Sequence, residues 1–76
     1  MGFPSWLTET ITAREWRFKR ESRNSILYQS PDSVERVFVP KRTKVDRRHV
    51  VNILRKLKMT EDEMQSFLET HSDHLS

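Results

Sequence analysis

The densest group of side chains able to do chemistry is basic: Lys41, Arg42, Lys44, Arg47 and Arg48 fall within eight positions, with His49 directly behind them. Ammonium and guanidinium groups so clustered hold phosphates by charge and hydrogen bonding, without reading bases themselves. All fourteen Lys and Arg lie between positions 14 and 58, where five acids oppose them, a local balance of +9; the flanks carry six acids and no base. A central field of that sign attracts polyphosphate chains and releases their counterions, which makes nucleic acid the expected partner. His49, with Arg47 and Arg48, would sit in the first turn of a helix, where free amides and the helix dipole offer a seat for phosphate.

Other groups point less far. His71 and His74 stand three apart, as metal ligands on a helix end can, but the chain has no cysteine, so neither a metal nor a small-molecule cofactor is expected. The same lack of cysteine excludes disulfides and thiol redox chemistry, leaving stability to packing. Among the aromatics, Tyr28 has a polar tip and is the one expected to serve a site, whereas Trp16, Phe18 and Phe38 read as packing residues.

These groups must be positioned by a chain of 76 residues, enough for one domain with a thin core. Leu7 and Ile11 share a face of a short helix over residues 4–13. From Glu15, Trp16 and Phe18 alternate with Arg17 and Lys19 as in a strand. Ile26, Leu27 and Tyr28 give a second strand, and residues 34–39, with Val37, Phe38 and Val39, a third that ends at Pro40. Between the last two, Ser30-Pro31-Asp32-Ser33 reads as a turn, with Pro31 at its first inner position and Asp32 able to close it. Asp46 is the expected N-cap of a helix whose stripe is Val50, Ile53, Leu54 and Leu57. Thr60 and Glu63 form a capping box for a short last helix with Met64, Phe67 and Leu68 on its apolar face, and residues 70–76 read as a fraying end. The expected class is α+β: a dsRBD-like α-β-β-β-α order, with helices on one face of a three-stranded antiparallel sheet and a short C-terminal helix. The opening stretch from Met1 to Trp6 has no early positive charge and no long apolar run follows it, so neither a leader nor a membrane span is expected, and the cytoplasm is the expected location.

Several of these segments together resemble the HicA family of toxins: Leu27-Tyr28-Gln29-Ser30-Pro31-Asp32, Val37-Phe38-Val39-Pro40, Ile53-Leu54-Arg55-Lys56-Leu57 and Met59-Thr60-Glu61-Asp62-Glu63-Met64, with Trp16 opening the first strand. The resemblance runs from Leu7 to Leu68. It implies an endoribonuclease that cleaves mRNA and is held inactive by a HicB-like antitoxin. Where the family has Gly-Ser-His, with a catalytic histidine, this chain reads Arg23-Asn24-Ser25. Arg42 and Arg48 likewise replace a family histidine and glycine. The resemblance thus assigns the catalytic position to Ser25; Tyr28, by its polar tip, is the other catalytic candidate, and Arg23, Lys41, Arg42, Lys44, Arg47, Arg48 and His49 are the expected RNA-binding residues. Deprotonating a 2′-hydroxyl and protonating a leaving oxygen calls for a group that titrates near neutrality, which serine does not. The expectation is therefore an inactive or attenuated nuclease, or a binding module of the same fold that occludes RNA or titrates an antitoxin. A third reading, a helix-turn-helix on DNA formed by the helices from Asp46 and Thr60, is opposed by the acidic start Glu61-Asp62-Glu63, which would face phosphates.

Overall fold

A computed structural model describes residues 4–76; Met1, Gly2 and Phe3, part of the stretch read for a leader, lie outside the described residues. The described residues form an α+β fold, with three helices and one three-stranded antiparallel sheet. It falls into two compact units, one reaching to Thr43 and the other spanning Lys44–Ser76. No helix among the described residues is long and apolar enough to cross a membrane.

The first unit opens with helix α1 (Ser5–Ala13), whose Leu7, Thr8 and Ile11 are buried. Its threonines are tolerated because their hydroxyls turn back on the helix: Thr8 donates to the Ser5 carbonyl at 3.3 Å, and Thr12 to those of Thr8 and Glu9 at 3.1 Å each. Glu15, at φ 67°, reverses the chain, with its amide on the Thr12 carbonyl at 2.9 Å. Three strands follow in meander order: β1 (Arg17–Glu21), β2 (Ser25–Gln29) and β3 (Arg36–Pro40). Ile26 lies opposite Val39 and Tyr28 opposite Val37, and all four are buried. Thr8 of α1 hydrogen-bonds the Tyr28 side chain, so α1 covers this face of the sheet. In β1 the expected alternation breaks after Phe18: Phe18 pairs with Tyr28 but Arg20 with Leu27, leaving Lys19 as a bulge.

The turn between β2 and β3 forms as its residues dictate. The Ser33 amide reaches the Ser30 carbonyl at 2.9 Å with Pro31 at the first inner position, and the Asp32 carboxylate accepts from the Val34 amide at 3.1 Å. Buried Ser30 anchors the loop, its hydroxyl accepting from the amides of Val34 and Glu35. Val34, expected within the third strand, stays in this loop and is exposed.

The second unit holds α2 (Arg47–Lys56), α3 (Glu61–Thr70) and a 3₁₀ turn (Ser72–His74). The Asp46 side chain accepts from the Arg48 amide, and Thr60 and Glu63 make the reciprocal capping box, both as their types and spacing predict. Val50, Ile53, Leu54 and Leu57 are buried together with Met64 and Leu68. After α2 the Lys58 amide bonds the Arg55 carbonyl and the Met59 amide the Leu54 carbonyl, a Schellman ending with Lys58 at φ 64°. The fraying expected of residues 70–76 does not occur: the Val45 amide donates to the His74 carbonyl at 2.9 Å and the Ser76 amide to the Val45 carbonyl at 3.1 Å, a parallel bridge between Val45 and Leu75. A polar tail has no local signal for such pairing, because its partners are some thirty positions away in sequence.

Two substitutions test these assignments by thermal denaturation. A left-handed residue with a Cβ is penalised, so Lys58→Gly should stabilise the protein by about 1 kcal/mol, a rise in Tm of roughly 4–8 °C. Leu54→Ala removes a fully buried side chain and should cost about 2–5 kcal/mol. An unchanged Tm in either variant contradicts the corresponding feature.

Candidate nucleic-acid interface

Ser25 is the first residue of β2, just after the hairpin formed by Ser22, Arg23 and Asn24. The hairpin is closed by the Ser22 amide on the Ser25 carbonyl at 2.8 Å, and the two hydroxyls lie 3.0 Å apart. The side-chain partner of Ser25 is thus another hydroxyl, and this pair holds no group able to take its proton near neutral pH. Arg23 stands exposed at the hairpin tip.

Ser25 and Tyr28, the two catalytic candidates, are not brought together. Three positions apart on one strand, they project to opposite faces of the sheet. Tyr28 is buried, with Thr8 as hydrogen-bond partner and the Phe18 ring edge-on at 6.3 Å. Burial raises its phenol pKa, the Thr8 bond opposes that, and the Glu21 carboxylate adds to it. These are the surroundings of a packing residue.

The basic cluster divides at the boundary between the units. In the first, half-buried Lys41 is ion-paired with Glu21, which partly neutralises it, and its amide bonds the Asn24 carbonyl at 3.0 Å, tying the end of β3 to the hairpin. Arg42 follows, exposed. In the second, Lys44, Arg47 and Arg48 are exposed and His49 is half-buried. The phosphate seat expected at the start of α2 is already filled: the Arg48 amide donates to the Asp46 carboxylate at 2.9 Å and the Arg47 amide to the Ser76 carbonyl at 3.4 Å. The N-cap that starts the helix is itself the anion at its positive end, leaving the Arg side chains of that turn, not its amides, to meet phosphate.

One feature escaped the reading of the residues. On α3 an open groove of about 510 Å³ is lined by Met59, Asp62, Glu63, Phe67 and His71. Its signal was the spacing of four from Met59 through Glu63 and Phe67 to His71, beside the buried stripe. The His71 ring lies 4.4 Å from Phe67 and 6.2 Å from His74. Among the described residues, no three His, Cys, Asp or Glu converge as a metal site would require.

Comparison with family models, with curated proteins and with solved structures gives no match.

Burial, and then the neighbouring His74, lowers the pKa of His71 below its ordinary 6.5. The unfolded chain therefore binds this proton more readily than the folded one, and stability rises with pH across the interval between the two values. The His71 contribution is fully present above the ordinary value and is lost as pH falls through the lowered one. Thermal melts taken from about pH 7.5 to about pH 5.5 should show Tm falling with acidity, and His71→Gln should flatten that dependence. An identical pH profile in the variant contradicts the assignment.

Proposed function

We propose that this protein is an RNA-binding domain of HicA-like, dsRBD-like type, the toxin member of a toxin–antitoxin pair, whose endoribonuclease activity is absent or attenuated. The observation that carries the reading is the placement of Ser25. It stands at the head of the central strand, beside the basic hairpin tip at Arg23, at the position where the family resemblance puts a catalytic histidine. The charge balance of +9 between positions 14 and 58 supports mRNA as the partner. The second partner is a HicB-like antitoxin, and the location is the cytoplasm. Arg23, Arg42, Lys44, Arg47 and Arg48 are the phosphate contacts in this reading, Lys41 contributes less while paired with Glu21, and His49 adds a hydrogen bond. The related reading, a module that binds RNA or antitoxin and never cuts, is favoured by the Ser22–Ser25 hydroxyl pair, since neither oxygen is a base.

One experiment separates the outcomes: labelled mRNA is incubated with the protein and with Ser25→His, and both binding and cleavage are followed. The native chain should bind more weakly as salt rises and cut little or not at all. Ser25→His should gain cleavage, up to the roughly 10²–10⁴-fold that acid–base help supplies when geometry is right. No RNA binding even at low salt, or strong cleavage by the native chain, contradicts the proposal. Binding by a variant that never cuts leaves the non-catalytic module.

A further inference from the structure

The sheet has a second face, on which Leu27 is buried and the exposed side chains around it are mostly basic. Strand pairing places residues on it in rows. Arg17, Gln29 and Arg36 form one row across the three strands, Arg20, Leu27 and Phe38 the next, and Ser25 with Pro40 the last. Glu21 belongs to the opposite face, since it pairs with Ile26. The strand positions of this second face therefore carry three guanidinium groups and no carboxylate, and Arg17, Arg20 and Arg36 are all exposed. In their midst Phe38, whose neighbours Val37 and Val39 are buried on the other side, keeps 53% of its surface exposed.

We propose that this face binds single-stranded RNA, with one unpaired base stacked on Phe38 and the flanking phosphates held by Arg17, Arg20 and Arg36. This rests on the RNA-binding reading above and specifies its substrate as unpaired. The chemistry of the face suits such a ligand: three exposed cations match a polyanion, and an exposed ring among them matches a ligand that also carries flat π-faces. Bases in a duplex are stacked on each other and cannot offer that face. The dimensions agree, because strands lie about 4.8 Å apart and successive rows about 7 Å. A base on Phe38 thus has Arg20 in its own row, Arg17 and Arg36 one row away on one side and Ser25 one row away on the other.

The test is a fluorescence-anisotropy titration of labelled oligouridylate, and of an RNA duplex of equal length, at several salt concentrations. The native chain should prefer the single strand. Phe38→Ala, at an exposed position and so expected to fold normally, should weaken single-strand binding on the order of tenfold while leaving the salt slope unchanged, and Phe38→Trp should restore it. Replacing Arg17, Arg20 and Arg36 together with Gln should reduce the salt slope by about 2, since each phosphate contact on a single strand contributes about 0.7. Equal single-strand affinity in Phe38→Ala and the native chain, as a face built for a protein partner would give, overturns this proposal and leaves the general RNA reading standing. A preference for duplex also overturns it, whereas no RNA binding of either kind removes both.

Discussion

The register of the central strand is the constraint on which the first unit depends. β2 alone is paired on both sides, so each of its residues sets the face of a partner in β1 and in β3. With Tyr28 opposite Val37 and Ile26 opposite Val39, these buried apolar side chains gather beneath α1. Arg36 is carried to the other side by the same alternation, and Arg17 and Arg20 share that side because the bulge at Lys19 shifts the register between them. A slip of one residue would exchange the faces, burying guanidinium groups and exposing valines, at a free-energy cost large enough to forbid it. The turn at Ser30–Ser33 and the tie between Lys41 and Asn24 hold that register at both ends of the β2–β3 pair.

Glycine shapes the molecule by its scarcity. Gly2 is the only one in the chain, so each left-handed backbone position among the described residues falls on another residue type: Glu15, Ser33 and Lys58. Each sits at a reversal, after α1, in the β2–β3 turn and after α2, where hydrogen bonds close the turn and hold the unfavourable torsion. Some conformational energy is stored at each of these reversals.

What could be read from the residues alone was local. Pro31 and Asp32 set a turn within four residues, Asp46 and the Thr60–Glu63 pair mark helix starts within three, and the stripe from Val50 to Leu57 repeats at helical spacing, so each signal is complete without the rest of the chain. The misreadings have a common cause, dependence on distant partners. Phe38 lies in the run Val37-Phe38-Val39, where three consecutive apolar residues conceal which one faces outward until β2 supplies the register. The bulge at Lys19 is likewise a mismatch between two strands, which neither strand encodes alone. The separation of Ser25 from Tyr28 was the exception: an odd interval on a strand already implies opposite faces, and a shared site needed an even one. The filled start of α2 was also implicit, because an aspartate that caps a helix takes an amide from any incoming anion.

The bridge between Val45 and Leu75 bears on the order in which the protein can take shape on the ribosome. The first unit draws all of its own strands and its helix from residues up to Thr43, so it leaves the exit tunnel ahead of the second. The second unit places the amide of Val45, near its beginning, on the carbonyl of His74, near its end, and returns the Ser76 amide to Val45. Its backbone cannot close until that last segment has cleared the exit tunnel, so Val45 waits through some thirty rounds of peptide-bond formation for its partner. The two halves of this small chain therefore close in sequence, the first once its own strands are clear and the second only once the segment from His74 to Ser76 has followed.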